Sequence, residues 1–316
     1  MAVSNARVDP SGGFTVESLR ANPRQARKER LIRDSLGATA LVSVIVSGLI
    51  IWSLFSEAYT FIVEVDWGTV WDIGWFPRRG IYDIKTLLIA SFIVTGIAMV
   101  VAGPLGLGAA IYLSEYARPQ IRKMLKPILE ILAGIPSVVL GFFALQWIAP
   151  NLVKTLFSGP AAGSLLAAGI GVGVLVIPLV ASISEDAMKA VPMSLREASS
   201  GLGARRVTTT IRVVLPAAVS GLMAAFIVAV SRALGETMVV VMAGGAAQTA
   251  VYTHSPLEGS LTITAGMTSL ARGTDNVVGE GLTFQSLFFI GLVLFVLTFV
   301  LNLLSDRFVH KVREQY

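Results

Sequence analysis

Six long apolar segments, separated by short polar and charged stretches, dominate the chain. Each is about as long as, or longer than, the stretch of about 20 apolar residues that a helix needs to cross a bilayer, and the fifth is long enough to project beyond it. The approximate limits are Leu36–Phe55, Leu87–Leu113, Ile128–Ile148, Leu165–Ile183, Val213–Ala243 and Leu287–Leu304. This pattern predicts an all-α membrane protein in which a six-helix transmembrane domain, residues 35–316, follows a polar, basic tail, residues 1–34.

Prolines interrupt three of the predicted spans. Pro104, Pro136 and Pro178 lie in the second, third and fourth segments, where each removes a backbone donor and should kink its helix. A freed carbonyl in a membrane must find a partner in protein or in a cavity. The prolines therefore indicate either close helix packing or a polar path, and the sequence leaves both open.

Basic residues alternate between the two sides of the predicted membrane. The tail, the second connection, the fourth connection and the C-terminal segment are rich in lysine and arginine, and the other connections are poor in them. Positively charged loops stay in the cytoplasm, so we expect both termini there. The basic residues of that side are Arg20, Arg24, Arg27, Lys28, Arg30, Arg33, Arg118, Arg122, Lys123, Lys126, Lys189, Arg196, Arg205, Arg206, Arg212, Arg307, Lys311 and Arg313.

Composition agrees with a membrane protein and narrows the chemistry. Of the 316 residues, 54% are hydrophobic and 14% charged, with a mean hydropathy of +0.73, against about 25% charged residues in soluble domains. The chain has no cysteine, which excludes disulfides, thiolate metal sites and cysteine nucleophiles. The net charge of +5 follows the membrane topology, so we expect the lipid bilayer and not nucleic acid as a partner.

The N-terminal region carries two predictions. Residues 1 to about 30 are polar, basic and contain prolines and glycines, so we expect them to be mostly disordered, with a short interfacial helix near Pro23–Arg33. The first apolar segment starts too late and runs too long for a signal peptide, which predicts a permanent anchor.

Two longer loops are expected on the periplasmic side, at about residues 56–84 and 244–282. The first contains Trp67, Trp71 and Trp75, which suit a membrane surface or a contact with an external partner. In the second, Ser255-Pro256-Leu257-Glu258 has the composition of a helix start. Apolar residues then recur on one helical face, at Ile263, Met267, Leu270 and Ala271.

A charged cytoplasmic loop, at about residues 184–212, carries the most specific spacing. It contains Glu197-Ala198-Ser199 and Gly203, and Leu215-Pro216 follows at the predicted return into the membrane. Pro192 should separate two short helices, and Ser194 and Glu197 have the spacing of a capping box. Gly201 and Gly203 should end the second helix. The small side chains of Ala198, Ser199 and Gly203 would let another protein approach the backbone closely.

The fifth apolar segment contains Arg232 and Glu236. If the helix is regular, Arg232 lies about 24 Å above Pro216, where an arginine costs about 2.5–3.5 kcal/mol. Glutamate preceding the base would stabilise a helix better than this order. The pair is therefore either the lining of an anion's path, with Glu236 moderating the grip of Arg232, or a structural ion pair between packed helices. The two interpretations are compatible.

The loop resembles the EAA loop of membrane subunits of ABC importers, which binds the cytoplasmic ATPase. Arg232-Ala233-Leu234-Gly235-Glu236-Thr237-Met238 is similar to the permeases of the bacterial phosphate ABC importer, and Met238 favours the PstC-type subunit over its PstA-type companion. Ala110–Tyr116 and Leu132–Ser137 match as well, and the resemblance covers about residues 85–310. Departures are small, with Ser199 in place of alanine and Val213 in place of isoleucine.

The resemblance implies a type I ABC importer permease fold, without cofactors. It implies a dimer of cytoplasmic ATP-binding subunits, a second, PstA-type permease and a periplasmic phosphate-binding protein as partners. ATPase docking would fall to Glu197, Ala198, Ser199, Gly203, Leu215 and Pro216, and the substrate path to Arg232 and Glu236. The sequence contains no Gly-x-x-x-x-Gly-Lys-Ser/Thr stretch, so ATP hydrolysis would belong to a partner and not to this transport subunit.

Three alternatives remain open at this level. A permease for another oxyanion, such as molybdate or sulfate, would share the loop and the arginine. A secondary transporter would need coupling-ion ligands near the midplane and usually internal repeats; the sequence shows no obvious repeat. A membrane-embedded enzyme is the least favoured, because His254 and His310 are the only histidines and both fall outside the predicted spans.

Overall fold

The computed structural model describes residues 23–71, 74–157, 163–245, 250–272 and 281–313, in two units that meet at Leu54 and Phe55. Helix α1 spans Pro23–Glu64 without interruption. Residues 23–33 are helical, as predicted, but they form the first turns of this long helix and not a short helix of their own. The rest of the predicted disordered tail, residues 1–22, lies outside the described residues.

The other helices belong to the second unit. They are α2 (Ile84–Ile111), α3 (Pro119–Ala133), α4 (Ser137–Phe143), α5 (Lys154–Leu156), α6 (Leu165–Lys189), α7 (Met193–Gly201), α8 (Arg206–Thr209), α9 (Leu215–Ala217), α10 (Val219–Leu234), α11 (Met238–Ala243), α12 (Ile263–Ala271) and α13 (Thr283–Arg313). Wider π-helical turns extend α2, α4 and α8, at Tyr112–Tyr116, Ala144–Val153 and Thr210–Val214.

Five helical segments in the described part of the chain are long and apolar enough to cross a membrane, and a bent pair makes a sixth. The five are Arg27–Glu64, Ile84–Tyr116, Ser137–Leu156, Leu165–Lys189 and Thr283–Leu304. The bent pair joins Arg206–Ala217 to Val219–Leu234 at 71°. The predicted all-α fold with up to six spans is confirmed.

The third span differs from the prediction. It runs over Ser137–Leu156 and not over Ile128–Ile148, because the chain breaks between α3 and α4 at Pro136, which cannot donate the helical hydrogen bond. Pro104 and Pro178, in contrast, lie inside the continuous helices α2 and α6. Residues 128–133 belong to α3, an amphipathic helix with no buried residue.

Helices α2 and α6 form the centre of the core and approach each other through glycines. A β-carbon added at Gly106 would lie 2.7 Å from Cβ of Val180 and 3.2 Å from the carbonyl oxygen of Ile177. Gly169 on α6 has the same relation to Ile97 on α2, at 2.7 Å. Such contacts bring the helix backbones close together, the usual packing mode where lipid replaces water.

We expect Gly106→Ala to destabilise the fold by about 1–3 kcal/mol, because the methyl group overpacks this helix contact. Gly108→Ala is the matched control: it lies two residues away on α2, and its added carbon would meet nothing within 4 Å. The control should be neutral or stabilising, since alanine is the better helix former. Thermal unfolding of the two variants in detergent measures the difference, and equal melting temperatures would contradict the packing argument.

The predicted loop at residues 56–84 is shorter and more ordered than expected. Residues 56–64 are the end of α1, and a two-stranded antiparallel hairpin follows, β1 (Trp75–Phe76) and β2 (Ile81–Tyr82). Trp75 is buried against Tyr82, so the surface role predicted for Trp75 is wrong. Trp67 and Trp71 are exposed, and their role at a membrane surface or partner stays a prediction.

The loop at residues 244–282 contains its helix at a different start. Helix α12 begins at Ile263, after Thr262, whose hydroxyl accepts from the amide of Ala265. The predicted start at Ser255–Glu258 is wrong, because the carbonyls of Pro256 and Glu258 accept hydrogen bonds from the first amides of α6 and are unavailable to a helix. Of the predicted apolar face, Ile263 and Leu270 are buried.

Candidate functional site

Helix α7 carries the predicted docking residues on an exposed loop. It begins after Pro192, as predicted, and ends at Gly201. Gly203 has φ +76°, a left-handed conformation that favours glycine, so the chain reverses there. Glu197, Ala198 and Gly203 are exposed, and Leu202, 89% exposed, projects at the end of the helix.

The capping box predicted for Ser194 and Glu197 does not form. Pro192 occupies the cap position, with no side-chain hydrogen bond to the helix start, and Ser194 lies inside the first turn. Ser199 has a different role, since its hydroxyl is 2.8 Å from that of Thr209 and joins α7 to α8. The serine at the second alanine position of the motif therefore connects the loop internally.

Arg196 fastens α7 to the ends of two long helices. Its guanidinium donates to the carbonyls of Val191 and Met188, at 2.6 and 2.8 Å, and to the Glu115 carboxylate at 3.0 Å. The side chains of Arg196 and Glu115 are 18% and 8% exposed. Arg196 thus connects α7 to the end of α6 and to the π-helical turn that ends α2. The charge pattern of the sequence predicted only a topological role for this residue.

We expect Arg196→Lys to weaken this connection, because an ammonium group cannot reproduce the planar fork that holds three acceptors. ATPase subunits should still bind, but ATP hydrolysis should drive at least about tenfold less transport, as expected for the loss of one or two charge-assisted hydrogen bonds. Arg205→Lys, at an exposed position of the same loop, is the control. The ratio of substrate transported to ATP hydrolysed is the measurement, and an unchanged ratio would contradict the transmitting role.

After the docking loop the chain bends, and the single helix predicted over Val213–Ala243 is not continuous. Leu215 and Pro216 lie in the one-turn helix α9, which meets α10 at a 71° angle beside Ala218. The predicted height of Arg232 above Pro216 therefore does not hold. A second break follows Leu234, where α10 ends and α11 begins four residues later.

Arg232 and Glu236 are brought together across this second break. Nη1 of Arg232 lies 2.7 Å from Oε2 of Glu236. The other carboxylate oxygen of Glu236 accepts from the backbone amides of Met238 and Val239, at 3.1 and 3.3 Å, and so caps α11. The unfavourable order of the charges on a continuous helix thus does not apply, because Glu236 lies outside α10.

The two charges differ in accessibility. The Glu236 side chain is 2% exposed and that of Arg232 is 46% exposed. The backbone carbonyl of Glu236 also accepts from the hydroxyl of Thr264, at 2.8 Å, which ties the break to α12. Glu236 is thus held by these four hydrogen bonds and by a fifth from its own amide to the carbonyl of Ala233, whereas Glu236 is the one side-chain partner of Arg232 among the residues that the structure describes.

Arg232 opens into a cavity of about 310 Å³ between α3, α6 and α10. Lys126, Glu130, Ser182 and Glu185 are its other polar residues. The rest of the lining is Leu129, Ala133, Ile135, Leu175, Pro178 and Leu179. An arginine beside such a cavity can bind an oxyanion, since its planar guanidinium matches two acceptor oxygens.

Sequence reasoning missed the other polar groups of this cavity. Lys126 entered only as a topological charge, and Glu185 was placed in the cytoplasmic loop, although it lies on α6 and is 1% exposed. The available signal was the position of Glu185 directly after an apolar segment, where a carboxylate needs a partner. In the part of the chain that the structure describes, no group of His, Cys, Asp or Glu has the arrangement of a metal site.

Comparison with known proteins agrees with this architecture. Residues 102–314 match the family model described as the inner membrane component of binding-protein-dependent transport systems. The probable ABC transporter permease protein YqgH of Bacillus subtilis is 39% identical over 223 residues, 71% of this chain and 70% of that protein. The phosphate transport system permease protein PstC of Mesorhizobium japonicum is 30% identical over 297 residues, 88% and 89% of the two chains.

Solved structures support the fold alone. A chain of a bacterial ABC transporter for the import of the acidic polysaccharide alginate aligns with a TM-score of 0.58 at 14% identity, covering 89% of this chain and 99% of that one. A chain of the MetNI methionine ABC transporter in an inward-facing conformation aligns with a TM-score of 0.51 at 21% identity, covering 72% and 93%. The predicted type I ABC importer permease fold is confirmed. The chain belongs to the family of inner-membrane components of binding-protein-dependent transport systems.

Proposed function

We propose that this chain is the permease subunit of an ATP-driven importer of inorganic phosphate in the bacterial inner membrane. The observation that carries the proposal is Arg232, a half-exposed cation that lines a cavity and is paired, among the described residues, with Glu236 through one of its nitrogens. The similarity to PstC proteins over most of the chain supports phosphate as the anion. Membership of the family implies ATP-binding subunits and a substrate-binding protein as partners. We propose that the second permease is of the PstA type and that the binding protein is specific for phosphate.

The transport cycle follows from the two parts of the site. Closure of the ATPases displaces α7, and Arg196 passes the displacement to α2 and α6, whose C-terminal ends it contacts. Helix α6 lines the cavity into which Arg232 opens. Movement of the docking loop thus changes the walls around the anion, which is the requirement for alternating access.

The deciding experiment is uptake of labelled phosphate into proteoliposomes that contain the complete complex, with ATP enclosed and the binding protein outside. We expect ATP-dependent uptake that unlabelled phosphate suppresses and that equal concentrations of sulfate or molybdate do not. Uptake of sulfate or molybdate in preference to phosphate would assign the chain to another oxyanion. Absence of ATP dependence would overturn the importer assignment.

The orientation, with both termini in the cytoplasm, is part of the proposal and has a direct test. Because the chain has no cysteine, single cysteines can be introduced without a background. In intact cells, Leu202→Cys on the docking loop should resist a membrane-impermeant maleimide, and Arg78→Cys, exposed beside the hairpin, should react. The reverse labelling would invert the topology.

A further inference from the structure

Glu185 is a buried carboxylate held between two cations from different helices. Its Oε1 lies 3.0 Å from Nε of Arg122 on α3 and accepts also from Nζ of Lys189, one turn further along α6. The Glu185 side chain is 1% exposed, and the two cations are about one-third exposed. The contact with Arg122 joins the amphipathic α3 to the central helix α6.

This cluster lies between two cavities. Glu185 lines the cavity of about 310 Å³ that also contains Arg232. Arg122 and Lys189 line a second cavity, of about 490 Å³, whose other walls come from the docking loop and the end of α2. Glu185 thus lines the cavity that contains Arg232, and Arg122 and Lys189 line the cavity beside α7.

The second cavity is cationic, but its charges are not equally available. Arg196 is already occupied by Glu115 and two carbonyls. Arg122 uses Nε for Glu185, and its Nη2 is buried with no hydrogen-bond partner among the described residues. Two cations around one carboxylate leave a positive charge in excess, together with an unused donor. The two cations are about one-third exposed, but the Nη2 donor of Arg122 is buried, and an anion with several acceptor oxygens would give it a partner.

We propose that Arg122 and Lys189 form a second phosphate-binding station, between Arg232 and the docking loop, and that Glu185 occupies it until the anion replaces it. This inference rests on the proposed function. An arriving phosphate offers more acceptor oxygens than the carboxylate and takes over both cations. Because the Arg122–Glu185 pair joins α3 to α6, the exchange also breaks one of the ion pairs between these helices, while Lys126 and Asp186 still join them.

The test uses the complete complex in proteoliposomes with ATP enclosed, and inorganic phosphate added to the lumen as inhibitor. Phosphate at the station should slow further uptake. In Glu185→Gln the competing carboxylate is gone, so the half-inhibitory luminal concentration should fall about tenfold, whereas Arg122→Gln and Lys189→Gln should raise it about tenfold, as expected for one charge-assisted hydrogen bond. Asp186→Asn is the matched control and should leave the half-inhibitory concentration unchanged. Asp186 follows Glu185 in the chain, but its carboxylate is 62% exposed and lies 3.8 Å from Lys126.

The outcomes separate the two proposals. If the wild-type complex takes up phosphate and all three cluster variants keep its half-inhibitory concentration, the station is refuted and the proposed function stands. If the wild-type complex takes up no phosphate, both are refuted. Co-purification of the ATPase with each variant confirms assembly. Should Glu185→Gln fail to assemble because Arg122 is left unpaired, Arg122→Gln and Lys189→Gln decide the question alone.

Discussion

Replacing Arg232 with glutamine should reduce phosphate uptake by at least about 30-fold, equivalent to about 2 kcal/mol, the lower end for truncating one member of a hydrogen-bonded charge pair. Two effects add. The anion loses the guanidinium that faces the cavity, and the Glu236 carboxylate, 2% exposed, keeps its negative charge beside the path without compensation. Assembly should persist, because Arg232 is half-exposed and, within the described ranges, its side chain bonds to Glu236 alone.

Three further variants distinguish substrate binding from a structural ion pair. Arg232→Lys keeps the charge but not the fork, so it should retain part of the uptake if the residue binds the anion. Glu236→Gln keeps an oxygen that can cap α11 and removes the repulsion of phosphate, so apparent affinity should rise. Arg272→Gln, at an exposed position, controls for the loss of one positive charge. Normal uptake by Arg232→Gln would leave only the structural interpretation.

The apolar pattern predicted the number and approximate place of the spans because hydropathy sums over many residues and tolerates local error. It could not locate the breaks beside Ala218 and Gly235. The residues around Ala218 are apolar, and at Gly235 the spacing of Arg232 and Glu236 also fits a continuous helix, so neither break is visible in the hydropathy pattern. The break after Leu234 depends on the Glu236 carboxylate turning back to the amides of Met238 and Val239, which residue spacing does not reveal.

The sequence predicted those parts of the candidate site whose residues are close together along the chain. The docking loop and the pair of Arg232 and Glu236 were found because their residues are close in sequence. The cluster around Glu185 was missed because Arg122 lies 63 residues away. The contact of Arg196 with Glu115 joins residues 81 apart and was missed for the same reason. Ion pairs between distant residues depend on how the helices pack, and helix packing cannot be predicted from the residue pattern of one sequence.

Reversing the charge of Glu197 should remove the ATPase subunits from the purified complex. Glu197 is exposed on α7. The preceding residue, Arg196, attaches α7 to the end of α6 through the carbonyl of Met188. A lysine there leaves that attachment intact but places a positive charge on the surface proposed for docking. We expect Glu197→Lys and Leu202→Asp each to weaken ATPase binding by at least about 30-fold, since central interface residues contribute about 2 kcal/mol or more.

Leu202 makes this prediction specific. Leu202 is 89% exposed at the end of a helix on a charged loop, so a partner that covers it would bury nearly the whole side chain. Co-purification of the ATPase with each variant is the measurement, and membrane insertion of the permease is the control for folding. Glu64→Lys, an exposed charge reversal at the end of α1, should retain the ATPase. If Glu197→Lys and Leu202→Asp retain it equally well, α7 is not the docking surface, and the force that moves α6 must enter elsewhere.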